Sequence, residues 1–296
     1  MKKMLLAVFT MFMANIALAD LKPLTICTGG EGGAYESLGS QIGKDIAAKT
    51  GAKLEVLNTG GSIENAEMMS DGDCYIAIMQ GDAVVANGLP RDITMTSAHK
   101  EAAIWMFGAD GVEDFSDMTS SKHKNKSVAI VAGSGAAVTL KNFGDVDKDY
   151  LEVNPVEFDD WYLAAEAAAQ GYTLKAGVRI NIGGLLYVGR PGFIPNDITE
   201  LFGDKLKVGE IDESSFSSAK DMAGNQLYFT CELNEQLTNG IKINSWSDPD
   251  TYCMNAVVIY SEAYTEGLEK KQARDVKRAV SRSINTTINA VRKAAL

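Results

Sequence analysis

Short apolar runs alternate with amphipathic stretches along the first part of the chain. Strands are predicted for "LKPLTIC", "AKLEVLNT" and "CYIAIMQ", and helices that stop at a glycine for "AYESLGSQIGKDIAAKTG" and "SIENAEMMSDG". Strands that alternate with helices of this length favour right-handed βαβ units and a parallel sheet. The segment up to residue 90 is therefore predicted to be an open α/β sheet, a fold that binds ligands at the carboxyl ends of its strands.

The same alternation restarts after a polar, lysine-rich interval, "MTSSKHKNK". Before the interval, "AAIWMFGADG" predicts a strand. After it, "SVAIVAGSGAAVTLKNFG" repeats the order of strand, Gly-Ser loop and helix, "DDWYLAAEAAAQG" predicts a helix and "GGLLYVGRPG" a strand. This restart indicates a second lobe.

The C-terminal part contains three further strand-like runs and one long helical pattern. The strands are "KLKVGEI", "QLYFTCEL" and "CMNAVVIY". In the closing segment apolar residues recur at helical spacing, at Leu268, Ala273, Val276, Val280, Ile284, Ile288 and Val291. We expect this stripe to pack a helix on the protein's own core, in preference to a partner or a membrane.

The N-terminus has the layout of a cleavable secretory signal. Lys2 and Lys3 precede an apolar run, and a small-residue "ALA" ends at Ala19, after which cleavage is predicted. No cysteine follows the predicted cut, so a lipid anchor is not expected. The remainder is long enough for one large or two ordinary domains.

Charge and cysteine content narrow the class of protein. Acidic residues outnumber basic ones by 39 to 28, which gives a formal charge of -11 and argues against a nucleic-acid partner. We interpret the acidity as a solubilising surface. Four cysteines in an exported chain allow two disulfides in three connectivities. A Cys231–Cys253 bridge is one candidate, whereas Cys27 and Cys74 lie in apolar runs where they can simply be buried.

Three predicted strand-to-helix junctions expose small polar residues, in segments 28–35, 58–65 and 132–137. Their glycines let the backbone approach a ligand, and the following helix presents free N–H groups and the positive end of its dipole. An anionic group suits that environment. Taken singly, each junction is better explained as a tight turn with a helix cap.

The sequence contains no recognisable motif for nucleotide binding or for catalysis by side chains. "TGGEGGAY" lacks the GxGxxG spacing, and no glycine-rich loop ends in Gly-Lys-Ser/Thr. The two histidines, His99 and His123, lie in polar surroundings and are interpreted as surface residues. Asp159 and Asp160 precede a helix, where N-capping explains them. We predict no enzyme activity, no metal and no cofactor.

The residues "LTICTGGEGGAYESLGSQIGKDI", "LNTGGSIENAEMMSDGDCYIAIMQGDAVVANG" and "VAIVAGSGAA" resemble the TAXI family, the extracytoplasmic solute receptors of tripartite ATP-independent periplasmic (TRAP) transporters. The family pattern is a strand, TGG, a tyrosine and LG, then TGGS with EN, then a strand that ends in Q, one residue, D. The first part of the chain matches it well, and the second lobe matches in outline.

The resemblance implies an α/β, two-lobed type II periplasmic-binding-protein fold, with a mostly parallel sheet flanked by helices in each lobe. Two crossover strands are expected around Trp105 to Ala109 and Met254 to Tyr260. The implied organisation is a signal peptide at 1–19, a first lobe at 20–108, a second lobe at 109–253, and a return to the first lobe with the closing helix at 254–296.

The resemblance also implies a set of ligand contacts: Thr28, Gly30, Tyr35, Ser62, Asn65 and Gln80 from the first lobe, and Ser134 and Gly135 from the second. Their chemistry agrees, because hydroxyls can donate to a carboxylate and side-chain amides suit an amino or keto group. For Tyr35 and Gln80, ordinary packing and a capping amide remain alternatives.

The second lobe departs from the family where "GVRINIGGLLYVGRPG" replaces the usual aspartate and small residues. Arg190 follows that strand at the end expected to face the cleft, where a guanidinium can hold a carboxylate through two hydrogen bonds. The alternative is a solvated loop arginine. Arg179 is less well placed.

The sequence therefore predicts a periplasmic solute-binding protein that captures a carboxylate-bearing metabolite of the glutamate or 2-oxo acid type by lobe closure. The expected partners are this anionic solute and the membrane subunits of a TRAP-type transporter, with no nucleic acid, and the receptor is expected to be a monomer. The alternatives are an ABC-type receptor, a sensor or structural partner built on this fold, or an enzyme.

Overall fold

A computed structural model of the chain describes residues 21–89, 92–221, 224–244 and 248–294. The predicted signal peptide, 1–19, lies outside the described residues. Within the described ranges, eleven strands and seven α-helices follow one another in the order β1 (Leu24–Cys27), α1 (Ala34–Thr50), β2 (Leu54–Leu57), α2 (Ser62–Asp71), β3 (Ile76–Gln80), α3 (Gly81–Asn87), β4 (Ile93–Phe107), β5 (Lys126–Val131), α4 (Gly135–Val146), β6 (Asn154–Phe158), α5 (Trp161–Gln170), β7 (Tyr172–Lys175), β8 (Val178–Gly189), α6 (Asn196–Phe202), β9 (Lys207–Gly209), β10 (Phe229–Glu232), β11 (Asp250–Ser261) and α7 (Lys270–Ala294).

The first lobe is the open sheet that the alternation predicts. β1 pairs in parallel with β2 on one side and with β3 on the other. The second half of β11 then runs antiparallel to β3, from Ala256 to Tyr260. Apolar layers cover both faces of the sheet: α1 and α7 pack on one face, and α2 and α3 on the other.

The second lobe contains β5 paired in parallel with both β6 and β8. The α/β class is confirmed, but antiparallel pairs are more prominent here than the resemblance implied. β7 and β8 form a hairpin whose turn residues Ala176 and Gly177 both have positive φ, and β8 and β9 run antiparallel to β4. Such a short turn can connect only antiparallel neighbours, which the sequence pattern of separate strands did not reveal.

Two long strands, β4 and β11, run through both lobes and join them into one continuous sheet. β4 pairs with β11 from Ile93 to Ala102, and from Ala102 to Met106 it pairs with β8 of the second lobe. The change of partners therefore falls before residues 105–109, where the first crossover was predicted. β11 has its irregularity between Asn255 and Val257, inside the predicted second crossover.

Several helices begin or end at the cap and glycine residues that the sequence predicts. Gly51, Gly72 and Gly171 end α1, α2 and α5 in the left-handed conformation, at φ values of 73°, 82° and 75°. Asp160 caps α5 by accepting a hydrogen bond from the Leu163 N–H at 2.8 Å, as predicted for the Asp159–Asp160 pair. In α7, the stripe of Val276, Val280, Ile284 and Ile288 is buried in the core of the first lobe.

Both cysteine pairs are disulfide-bonded. Cys231 and Cys253 lie on the antiparallel pair β10 and β11 with Cα atoms 5.8 Å apart, and Cys27 and Cys74 have Cα atoms 5.9 Å apart. Cys27 and Cys74 are buried, as expected, but they are also bonded to each other. The sequence did not predict this second bridge, because the spatial proximity of two cysteines in separate apolar runs becomes visible only in the folded sheet.

In the described part of the chain, no helix has both the length and the apolar character needed to cross a bilayer.

Candidate ligand-binding cleft

A cleft with a volume of about 710 Å³ lies between the two lobes. Residues of the first lobe line one wall, residues of the second lobe line the other, and Glu101 of the crossover strand β4 contributes where the lobes meet. The lining includes Gly29, Gly30, Glu31, Gly32, Gly33, Ala34, Tyr35, Gly60, Gly61, Ser62, Gln80, Glu101, Gly135, Trp161, Tyr187, Val188, Gly189, Arg190, Gly192, Phe193, Ile194, Pro195, Asn196, Asp197 and Asn239.

The N-termini of three helices reach this cleft: Ala34 of α1, Ser62 of α2 and Gly135 of α4 all lie in its lining. Each helix begins directly after a loop that follows a strand of its lobe. Two backbone donors in these loops are already used, because Glu36 Oε2 accepts from the Gly32 N–H at 2.7 Å and Glu64 Oε2 accepts from the Gly60 N–H at 2.6 Å. The helix dipoles together make this end of the cleft favourable for an anion.

Six of the nine residues expected to contact a ligand lie in the lining: Gly30, Tyr35, Ser62, Gln80, Gly135 and Arg190. The structure therefore brings together residues from both lobes that are far apart in sequence. Ser62 is tied to its neighbour strand, since its Oγ accepts the Gln80 backbone N–H at 3.1 Å.

Thr28 and Asn65 are fully buried and lie outside the lining, with their polar groups engaged inside the protein. Thr28 Oγ1 donates to the Leu57 carbonyl at 3.0 Å. Asn65 Nδ2 donates to the carbonyls of Thr28 and Ile78, and its Oδ1 accepts from Thr59 Oγ1 at 2.6 Å. Contrary to the expectation of direct contacts, both residues hold the first two loops in place beneath the cleft.

Gln80 of the first lobe packs directly against Gly135 of the second lobe. A Cβ atom on residue 135 would lie 2.0 Å from Gln80 Oε1, so only glycine allows the amide to lie there. Gln80 is 1% exposed, and its Oε1 has no hydrogen-bond partner among the described residues. The Oγ of Ser134 is similarly buried and without a partner, although Ser134 itself lies just outside the lining.

Arg190 lies in the second-lobe wall, as the hypothesis of a cleft-facing arginine required. Its guanidinium carbon lies 4.5 Å from the ring centre of Phe193, which holds the side chain against an aromatic face. Loss of water around it lowers the pKa of Arg190 from its usual value, although an arginine stays protonated under ordinary conditions. Arg179, in contrast, is exposed and lies over Tyr172 away from the cleft lining.

Sequence reasoning missed a polar cluster around Glu101. This carboxylate is 2% exposed; its Oε2 accepts from the Tyr35 hydroxyl at 2.9 Å, and its Oε1 lies 3.2 Å from His99 Nε2. The His99 side chain is only 8% exposed, so its interpretation as a surface histidine was wrong. The segment "TSAHKE" looks polar throughout, and only pairing in the sheet decides which of its side chains turn inward.

The negative charge of Glu101 influences several neighbours. Burial, and then the charge of Glu101, raises the pKa of Tyr35 well above its usual range, and the same two causes raise the pKa of Tyr187. Tyr35 is therefore a hydrogen-bond donor to Glu101 and stays protonated. No group of three or more His, Cys, Asp or Glu side chains within the described ranges is arranged to hold a metal ion.

A second buried acid, Asp82, lies behind the cleft where α3 of the first lobe meets α4 of the second. Its Oδ2 accepts from Thr139 Oγ1 at 2.6 Å and from the Tyr228 hydroxyl at 2.9 Å. Burial raises the pKa of Asp82 to about 6, and the charge of Glu101 adds to that increase. Asp82 is not part of the lining, so it connects the lobes without facing a ligand.

Residues 26–125 match the family model described as the NMT1-like family. The matched segment contains the end of β1, all of β2 and β3, the first two glycine-rich loops and Glu101, and it is less than half of the chain. No curated protein matches this sequence.

Several solved structures are partly similar to this chain in backbone fold. The ligand-binding core of GluR0 with L-glutamate is 14% identical, with a TM-score of 0.46, over 91% of this chain and 97% of that one. A TRAP periplasmic solute-binding protein from Xanthobacter autotrophicus Py2 with bound β-D-galacturonate is 9% identical, with a TM-score of 0.48, over 92% and 83%. Iron-bound HitA from Pseudomonas aeruginosa is 11% identical, with a TM-score of 0.45, over 90% and 84%.

Proposed function

We propose that this protein is an extracytoplasmic solute-binding protein that captures a small carboxylate-bearing metabolite, of the glutamate or 2-oxo acid type, by closing its lobes. The observation that carries the proposal is the convergence of the N-termini of α1, α2 and α4 with Arg190 in one cleft between two lobes. A carboxylate there meets dipole ends and a guanidinium in a partly enclosed space, where such interactions are strongest.

Lobe closure is supported by the way the lobes are connected. β4 and β11 pass between the lobes as continuous strands, and a strand pair can bend where its ladder is irregular, between Asn255 and Val257. Closure buries the ligand and brings Arg190 toward the glycine-rich loops, so affinity comes from completing the site. No covalent chemistry is proposed for this cleft, and the protein is proposed not to be an enzyme.

An extracytoplasmic location is supported by two features of the chain. The N-terminal residues have the layout of a secretory signal, with cleavage proposed after Ala19. Two disulfides in one chain suit an oxidising compartment, the periplasm in this proposal.

Delivery to a TRAP-type transporter is the finer part of the proposal and rests on the resemblance of the first-lobe loops to the TAXI family. The TGG, TGGS and Q-x-D segments occur in order, and all three surround the first-lobe wall of the cleft. Deletion of transporter membrane genes beside the receptor's gene, followed by uptake of the identified solute, tests this step. Uptake that persists would favour another transporter class.

A thermal-shift screen tests the binding proposal. Protein purified from the periplasm is unfolded without reductant, freed of bound solute and refolded, then mixed with amino acids, 2-oxo acids, dicarboxylates and small anions. A ligand at a hundredfold excess over its Kd stabilises the folded state by about 2.7 kcal/mol, which raises Tm measurably.

Two variants locate the site in that screen. Ser62→Ala and Tyr35→Phe alter the lining with little change in packing and should reduce the shift, whereas Ser281→Ala on the exposed face of α7 should leave it unchanged. A correctly refolded protein that shows no shift with any compound of the panel would contradict the proposed function.

A further inference from the structure

The cleft contains a negative pole, the carboxylate of Glu101, and a positive pole, formed by Arg190 and the N-termini of α1, α2 and α4. Glu101 lies in the lining yet is almost fully buried, and its oxygens contact the Tyr35 hydroxyl and His99 Nε2. In the described part of the chain, no lysine or arginine forms an ion pair with it. An ionised carboxylate removed from water is costly unless a cation or several donors compensate it.

The charge of Glu101 also affects residues beyond its hydrogen-bond partners. It contributes to the raised pKa values of Tyr35, Asp82 and Tyr187, which lie on three different elements around the cleft. The side chains that contact Glu101 are the Tyr35 hydroxyl and His99, so none of its recorded partners in the described part of the chain is a permanent cation. A ligand cation beside Glu101 would supply that compensation.

The positive pole lies next to the negative one. Ala102 of β4 pairs with Gly189 of β8 at the end of their antiparallel ladder, so Glu101 and Arg190, the next residues along each chain segment, flank the same end of that ladder. No ion pair joins these two side chains. A bound molecule with one charge of each sign can therefore meet both, one on each pole.

Gln80 provides a further acceptor in the same cleft lining. Its Oε1 is buried, lacks a hydrogen-bond partner among the described residues, and belongs to a residue of the cleft lining. A protonated amine has three donors, which suits a carboxylate and an amide oxygen together. A keto group is an acceptor only and would leave Gln80 Oε1 without a donor.

The remaining charges of the lining disfavour a second carboxylate on the ligand. Glu31 and Asp197 also lie in the lining, whereas Arg190 is the one lysine or arginine among its described residues. Once Arg190 and the helix N-termini hold one carboxylate, another has no cationic side chain to meet. It would instead approach acidic groups, which costs affinity.

We infer that the cleft selects a solute with a protonated amine beside a single carboxylate, an amino acid without an acidic side chain, in preference to 2-oxo acids and dicarboxylates. Glu101 with Gln80 holds the amine, and Arg190 with the helix N-termini holds the carboxylate. This inference rests on the proposed capture of a carboxylate-bearing solute in this cleft, and it replaces the glutamate or 2-oxo acid type named there with an amino acid that has a single carboxylate.

Matched pairs of compounds test the inference by isothermal titration of the solute-free protein. The pairs are L-alanine with pyruvate, L-leucine with 4-methyl-2-oxopentanoate, and L-glutamate with 2-oxoglutarate; succinate is added as a dicarboxylate. The amino member of each binding pair should bind about tenfold to a hundredfold more tightly, as expected for a hydrogen bond to a charged group. The best neutral amino acid should also bind more tightly than L-glutamate and succinate.

Glu101→Gln is the decisive variant, because an amide oxygen still accepts from Tyr35 while the charge is removed. It should reduce the preference within each pair to less than about threefold, mainly by weakening the amino member. Glu67→Gln removes an exposed acid from α2, away from the lining, and should retain the wild-type preference. Circular dichroism confirms that both variants are folded.

Three results would overturn the inference. Equal binding within the pairs would mean that His99 alone compensates the charge of Glu101. Tighter binding of 2-oxo acids or succinate would mean that Glu101 does not bind an amine. A preference that survives Glu101→Gln would assign the amine to another group. In each of these cases the proposed function stands, whereas no binding by any compound to the folded wild type would contradict both.

Discussion

Glu101 and Asp82 are two buried carboxylates with similar immediate partners and different surroundings. Each accepts a tyrosine hydroxyl at 2.9 Å, from Tyr35 and Tyr228 respectively. Glu101 lies in the lining of the cleft, whereas Asp82 is enclosed between α3 and α4. Burial alone therefore does not distinguish a ligand-binding acid from a structural one; access from the cleft does.

The two acids also differ in how completely the protein satisfies them. Asp82 has a second donor on the same oxygen, Thr139 Oγ1, and Asn142 Nδ2 donates to its backbone carbonyl at 3.3 Å. Both Thr139 and Asn142 lie on α4 of the other lobe. Asp82 thus joins the lobes through hydrogen bonds, although its Oδ1 has no partner among the described residues, whereas both oxygens of Glu101 have contacts and Glu101 lies in the cleft lining.

The largest expected effect is that of Asp82→Ala on stability. The hydroxyls of Thr139 and Tyr228 would lose their acceptor inside the interface, and we expect a loss of about 3 kcal/mol in the free energy of unfolding. Urea denaturation measures it. Asp145→Ala on the same helix as Thr139 removes only an exposed pair with Lys141 and should cost less than about 1 kcal/mol. Equal losses would contradict the structural role of Asp82.

The next effect is the pH dependence of stability that Asp82 confers. Its folded-state pKa of about 6 exceeds its usual value of 3.8, so the native state binds the proton more tightly than the unfolded state. Its contribution to stability is full below about pH 4 and is lost as pH rises through 6, a change of up to about 3 kcal/mol.

Asp82→Asn removes this titration and leaves the other carboxylates unchanged. The difference in free energy of unfolding between Asp82→Asn and the wild type should therefore shift in favour of the variant between pH 4 and 6.5. Urea titrations at several pH values measure that difference. A difference that stays constant over this range would show that Asp82 titrates normally.

A smaller effect is expected at the positive pole of the cleft. Arg190→Gln removes the guanidinium proposed to hold the carboxylate, and it should weaken solute binding by about 1.5–3 kcal/mol. Arg179→Gln changes an exposed arginine near the start of β8, the strand that precedes Arg190; it is the matched control and should bind as the wild type does. Isothermal titration distinguishes them; similar affinities would remove Arg190 from the site.

The smallest effect sharpens the comparison between the two acids. Glu101→Gln keeps an acceptor for Tyr35 and removes a desolvated charge, so the free energy of unfolding of the solute-free protein should change by less than about 1 kcal/mol. Urea denaturation under the conditions used for Asp82→Ala measures this change in the free energy of unfolding. A loss of more than about 2 kcal/mol would make Glu101 a structural acid like Asp82.

Much of the fold was predictable because its signals are local. The stripe of α7, the glycines that end α1, α2 and α5, and the apolar first-lobe strands each follow from residues near one another in sequence. The first half of β4 was missed because Thr94 and Met95 are exposed, and its pairing with β11 depends on residues far along the chain.

The site was predictable only in part, for a related reason. Glycine-rich loops before helices identify Gly30, Ser62 and Gly135 directly. Asn65 and Thr28 have suitable chemistry, but the backbone carbonyls that engage Asn65 become visible only in three dimensions. Glu101 gave no signal at all, because a polar segment on a strand has one inward and one outward side, and the sequence does not say which is which.

Native mass spectrometry tests the central claim most directly. Solute-free protein is equilibrated with a pool of amino acids and, separately, with a pool of 2-oxo acids and dicarboxylates, and the mass of any bound molecule is read from the intact complex. We predict one bound molecule per chain, with the mass of an amino acid that has a single carboxylate, and its loss in Arg190→Gln. A folded wild-type protein that binds nothing from either pool would contradict the account.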